Sequence, residues 1–137
     1  MHMIIRLFSI TGLCAVIIGS AAARDSKLDS KYSKTYKICM STGDAAKGVQ
    51  PAMNSCAADE YNRQDKRLNV TYGNAIVKKS GKGKTALRVS QRKWIIVRDK
   101  NCAAEEKKYE GGSIAPLIYF TCMTDETIMR ISWLEKR

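Results

Sequence analysis

Four cysteines constrain this chain more than any other feature. Cys39, Cys56, Cys102 and Cys122 form two close pairs along the sequence. A fifth, Cys14, lies in an N-terminal stretch that is expected to be removed. There Arg6 supplies a positive start, "LFSITGLCAVIIGS" an apolar run, and "AAA" at 21–23 a small-residue cleavage pattern. Residues 1–23 are therefore read as a signal peptide, and cleavage after Ala23 leaves 114 residues (137 minus 23). The apolar run is short for a spanning helix and no second one follows, so the mature protein is expected to have no transmembrane segment. Leu13, not a small residue, precedes Cys14, so Cys14 is not read as a lipid-attachment site.

An even number of cysteines in a small exported domain implies two disulfides. Three pairings are possible. Cys39–Cys56 and Cys102–Cys122 are expected, because each closes a short loop between successive elements. Each such bridge stabilises by about 3 kcal/mol through restriction of the unfolded chain. A four-cysteine zinc site is the alternative, but the paired CxxC spacing it favours is missing.

Residues 24–37, "RDSKLDSKYSKTYK", are polar and lysine-rich and read as a flexible leader. Residues 38–137 read as one helical domain. "CMSTGDAAKGVQPAMNSC" predicts a short helix or turn, a loop, and a long helix starting near Pro51. Met53, Ala57, Tyr61, Leu68, Tyr72 and Ile76 then recur at helical spacing up to about Lys79. "SGKGK" predicts a break, and Thr85 the cap of a third helix over 85–101. After "YEGGS" a last helix is expected from Ser113 or Ala115, with Pro116 in its first turn. "LIYF" at 117–120 could form a strand, but the periodic positions continue past it. The expected fold is all-α, a small bundle of three to four helices cross-linked by two disulfides.

The third helix carries an anomaly. Leu87, Gln91, Trp94 and Arg98 fall on one stripe, so an amide and a guanidinium flank a large apolar side chain. Asp65, Asn69 and Tyr72 share a face of the second helix. If the two faces meet, Arg98 can pair with Asp65, and Gln91 can bond to Asn69 or to backbone. Such a network fixes register when every member is hydrogen-bonded. A buried Arg98–Asp65 pair predicts a loss of about 3 kcal/mol on Arg98→Ala.

Catalytic chemistry is sparse. The only histidine is His2, in the signal stretch, so no histidine-based triad or metal site is expected after it. Oxidised cysteines offer no thiolate. Asp59–Glu60, Glu105–Glu106 and Asp125–Glu126 are sequence neighbours, which point apart on a helix and make no two-carboxylate site. No enzyme activity, catalytic residue, metal or cofactor is expected.

Charge directs attention to partners. The formal charge is +11. Nine Lys/Arg and one acid, Asp99, lie between residues 78 and 100. A basic surface favours polyanions such as anionic envelope material, although a solvated helix face has the same signature. Export and the absence of a recognition motif argue against nucleic acid.

An ordered set of residues then matches a known pattern. Cys39, Met53, Asn54, Cys56, Asp65, Leu68, Asn69 and Tyr72 are followed by "Q-x-x-W-x-x-x-R-D-x-x-C" (Gln91, Trp94, Arg98, Asp99, Cys102). Gly111, Gly112 and Ser113 come next, and then Cys122, Thr127, Arg130 and Leu134. This resembles the N-terminal domain of the LprI lysozyme-inhibitor family, over nearly the whole mature chain. The resemblance implies a helical, disulfide-linked domain of the bacterial envelope, periplasmic or secreted, that inhibits lysozyme or a related cell-wall hydrolase by stoichiometric binding. It marks no inhibitory residues. From the residues themselves, Lys78, Lys79, Lys82 and Lys84 in "KKSGKGK" are candidate contacts, a basic protrusion able to enter an acidic cleft. The competing reading is an envelope polyanion-binding or toxin-neutralising protein with no enzyme target.

Overall fold

The computed structural model describes residues 28–137. The expected signal peptide, residues 1–23, and residues 24–27 of the expected leader lie outside them. Among the described residues there are five helices and no strand: α1 (Lys34–Ser41), α2 (Gly43–Ala46), α3 (Gln50–Val77), α4 (Gly81–Lys107) and α5 (Ala115–Glu135). "LIYF" is helical, inside α5. Pro51 and Pro116 sit in the first turns of α3 and α5, where the missing N–H costs no intrahelical bond. Gly48, at φ +78°, turns the chain from α2 into α3, and Gly111, at φ +81°, does the same between α4 and α5.

α5 organises the bundle. Asn54 Nδ2 donates to the Ser113 carbonyl at one end, and Lys79 Nζ to the Arg137 carbonyl at the other, so α3 and α5 run side by side in the same direction. α4 returns antiparallel, and its buried face meets α5 more than α3. The aliphatic core lies towards the α3–α4 hairpin. Leu68 and Ala75 of α3, Leu87 of α4, and Ile131 and Leu134 of α5 are buried together, with Tyr72, Ile76, Trp94 and Trp133 packed around them. Fully burying a large aliphatic side chain stabilises by roughly 1.5–3 kcal/mol, so this small cluster needs help from the bridges.

The bridges are Cys39–Cys56, with Cα atoms 5.8 Å apart, and Cys102–Cys122, at 5.5 Å. The first ties α1 to α3 and the second ties α4 to α5. These are the expected pairings.

Two expectations change. Residues 28–37 do not form a loose leader. Tyr32 Oη donates to Asp125 Oδ1 at 2.6 Å, Lys31 Nζ to Ser132 Oγ at 2.9 Å, and Lys34 already begins α1. Polar residues hold this segment down, and apolar periodicity does not register them. The third helix is also longer at both ends, Gly81–Lys107 rather than 85–101. Thr85 lies inside it, and the link from α3 is only Lys78, Lys79 and Ser80. Gly81 and Gly83 have negative φ and take the first turn without a special conformation. Their low helix propensity, about 1 kcal/mol each, is overridden by packing of the hairpin.

Candidate partner-binding site

Two regions compete as the functional site: the polar stripe between the long helices and the basic hairpin tip.

The stripe is built by three helices. Arg98, on the buried face of α4, points at α5 and the flank of α3. Its Nε donates to Asp99 Oδ1 at 2.9 Å and its Nη1 to Thr127 Oγ1 at 3.3 Å. Nη1 stands 3.8 Å from Asp65 Oδ1, so the expected partner is within ion-pair reach but is not the nearest carboxylate. The Arg98 side chain is 7% exposed, whereas Asp65 and Asp99 are 40% and 50% exposed. Water therefore remains available to both acids.

Gln91 does not reach Asn69. Its Oε1 accepts from Arg130 Nε at 2.9 Å, and Arg130 Nη2 donates to Ser90 Oγ at 3.0 Å. Asn69 is exposed and turns back to Asp65 on its own helix, at 3.4 Å. The physical reason is the position of α5, which α4 meets far more than it meets α3. A short amide on the α4 stripe meets α5 first. Tyr72 packs on the aliphatic core, and its electrostatic contact is with the Arg130 guanidinium.

Trp94 lies between two guanidiniums, Arg98 at 4.8 Å and Arg130 at 5.5 Å from its ring centre. Arg130 also stacks on Trp133 at 4.0 Å, and Arg137 stacks on Trp133 at 3.7 Å. Tyr61 continues the row beyond Arg98 at 5.7 Å. The order is Tyr61, Arg98, Trp94, Arg130, Trp133, Arg137, alternating ring and cation. Each contact of this kind is worth roughly 0.5–2 kcal/mol, more where water is excluded. Burial pulls the Arg130 guanidinium below its ordinary value, and the nearby Arg137 charge adds to this. Sequence reasoning left Arg130 and Thr127 out of the network. The signal was present: they interrupt the apolar stripe of α5 as Gln91 and Arg98 interrupt that of α4.

A second buried knot was missed entirely. Glu60 is 0% exposed. It accepts from the Ser33 backbone N–H at 2.9 Å, Gln64 Nε2 at 2.7 Å, Arg63 Nε at 2.9 Å and the Ser33 hydroxyl. Burial alone would raise its pKa, but the bonds from Gln64, Ser33 and Arg63 outweigh that and hold it below the ordinary carboxylate value. Gln64 spends its amide N–H on this bond, and its own Oε1 is buried without a partner. The knot fastens residues 31–36 to α3.

At the hairpin tip, Lys78 and Lys82 are exposed while Lys79 and Lys84 are half-buried. Lys79 is tied to the end of α5 through the Arg137 carbonyl. The tip is thus a tight helix hairpin with Lys78 and Lys82 exposed, in place of a glycine-rich protruding loop. Among the described residues no group of three or more His, Cys, Asp or Glu side chains could hold a metal ion. Among them, too, no helix is long and apolar enough to cross a membrane.

A family profile described as "Lysozyme inhibitor LprI" matches residues 39–134. An uncharacterized protein of Rhizobium meliloti (strain 1021) is 29% identical, over 68% of this chain and 77% of its own length. No solved structure matches. The matched span runs from the first cysteine of the first bridge through both bridges and the ring–cation row as far as Trp133, ending at Leu134, and so takes in nearly all of the described bundle: the chain belongs to the LprI lysozyme-inhibitor family.

Proposed function

We propose that this protein is exported, to the periplasm or beyond, and binds lysozyme or a related cell-wall hydrolase stoichiometrically as an inhibitor, with no catalysis of its own. Membership of the LprI family over residues 39–134 carries this reading. Two disulfides support an oxidising compartment.

The hairpin tip is the proposed contact. Glycosidases of this class work with a pair of carboxylates in a cleft. Lys78 and Lys82, exposed on a rigid hairpin, can enter such a cleft and pair with those carboxylates. The ring–cation row is assigned a scaffolding role, since Arg98, Arg130 and Gln91 are buried and engaged with one another's elements. It holds α4 at a fixed angle and so fixes where the tip points. Lysozymes that are themselves basic are repelled at long range by a chain whose formal charge is +11, or +10 (11 minus 1) once Arg6 is removed with the signal stretch. For those targets association slows and local fit must supply the affinity.

The test is residual lysozyme activity against rising concentrations of purified protein. Complete inhibition near equimolar ratio is expected, and Lys78→Ala/Lys82→Ala should weaken it about tenfold or more if both cations pair with the cleft acids. Full lysozyme activity at large excess across several lysozyme classes would refute the reading.

A further inference from the structure

The outward face of α4 has no role in the bundle, and its composition is unusual for a solvated surface. Val89, Ile96 and Val97 are 44%, 67% and 55% exposed. Lys82, Lys93 and Lys100 project from the same side of the helix, opposite the buried stripe of Leu87, Gln91, Arg98 and Cys102. Val89, Lys93, Ile96 and Lys100 recur at four, three and four residues, so aliphatic and cationic side chains alternate along one line. None of these lysines makes an ion pair among the described residues. The three acids of α4 lie elsewhere: Asp99 turns to Arg98, Glu105 to Lys108, and Glu106 is half-buried in the last turn beside Ala115.

We infer that this face is a docking surface for a membrane leaflet rich in anionic phospholipid. Charge complementarity selects an anionic partner and argues against a second copy of this strongly positive chain. A soluble polyanion would satisfy the lysines but leave Ile96 and Val97 against water. A protein partner fits less well, because lysine is depleted and aromatic anchors are enriched at such interfaces, whereas this face has lysines and β-branched aliphatics. Its 27 residues span about 40 Å. A convex cylinder of that length meets a plane better than a pocket. Short aliphatics dip into the headgroup boundary while the lysine stems reach back to the phosphates. This surface shares only Lys82 with the proposed hydrolase contact, and it holds through Val89, Lys93, Ile96, Val97 and Lys100 whether or not lysozyme is inhibited.

The experiment is co-sedimentation of the purified protein with phosphatidylcholine vesicles, with and without phosphatidylglycerol. Binding is expected to the anionic vesicles alone and to fall steeply as salt rises. Lys93→Gln/Lys100→Gln should lower partitioning about fivefold per lysine. Ile96→Ser/Val97→Ser should lower it about tenfold at unchanged charge. Val70→Ser, at an exposed aliphatic of α3, should leave it unchanged. These positions are exposed, so thermal melting should stay at the parent value and serve as the folding control. Absence of binding to phosphatidylglycerol vesicles overturns the inference. So does undiminished binding of the Ile96/Val97 variant, which would assign the face to soluble polyanions, and so does an equal loss in Val70→Ser.

Discussion

The knot around Glu60 and the row around Arg130 solve the same problem in different ways. Each places a charged group where water barely reaches, in a domain with a small aliphatic core. Glu60 is answered by donors: a backbone N–H, a hydroxyl, an amide and a guanidinium converge on one carboxylate. Arg130 is answered by two neutral oxygens and two indole faces. A carboxylate accepts only, so it must recruit polar groups, and those it recruits fasten the N-terminal segment. A guanidinium has an apolar face, so it can lie between aromatic rings and join α4 to α5 without a buried acid. The first arrangement is a fastener between segments. The second is a spacer between helices.

The contrast can be broken at its strongest point first. Glu60→Ala should cost about 3–5 kcal/mol in urea unfolding, because Ser33, Gln64 and Arg63 lose their common acceptor in a buried site. It should also loosen residues 28–37, seen as faster amide exchange there than in α5. A loss below about 1 kcal/mol would show that the segment docks through Tyr32 and Lys31 alone. Removing the second bridge, Cys102→Ala/Cys122→Ala, should cost about 3 kcal/mol. It should leave the Glu60 knot intact, since that knot sits beside the other bridge.

Arg98→Ala should cost about 2 kcal/mol, less than the 3 a fully buried pair would give, because Asp65 and Asp99 are half-exposed and rehydrate. Arg130→Met should cost only about 1 kcal/mol, since Met keeps the volume between the indoles and loses no carboxylate partner. If Arg130→Met were as damaging as Glu60→Ala, the distinction between fastener and spacer would fail.

Acid sharpens the same comparison. The Glu60 carboxyl is held below its unfolded value, so its contribution is fully present above the unfolded pKa. It is lost as pH falls through the folded value. The melting temperature should therefore drop below about pH 4. Glu60→Gln should flatten that drop, and Arg130→Met should not. An effect as small as that of Arg130→Met, about 1 kcal/mol, is expected from Ser33→Ala. Ser33 caps α1 by accepting from the Tyr36 N–H as well as bonding Glu60.

Much of this was legible in the residues. The spacing of Gln91, Trp94 and Arg98 marks polar groups on a buried stripe, and all three lie there, with Trp94 half-buried. Their partners were harder to read. Nothing in a helical period states which neighbour a stripe will face, and Gln91 found Arg130 where Asn69 was expected. Glu60 was hidden for another reason. Beside Asp59 it looks like one of a solvated acidic pair, and only its place on the line Cys56, Glu60, Gln64, Leu68 gives it away. The polar segment 28–37 carries too few apolar residues to announce a docked conformation.

The chain by itself determined the helices, because their periodicity, prolines and breaks are local properties of the backbone. It favoured the two bridges, because each pair of cysteines closes a short loop, but it left three pairings open, and the fold selected among them. Only the tertiary structure decided which buried charges meet which partners. Those meetings depend on helix order and rotation, with α5 lying beside both α3 and α4, and that arrangement is a global outcome of packing.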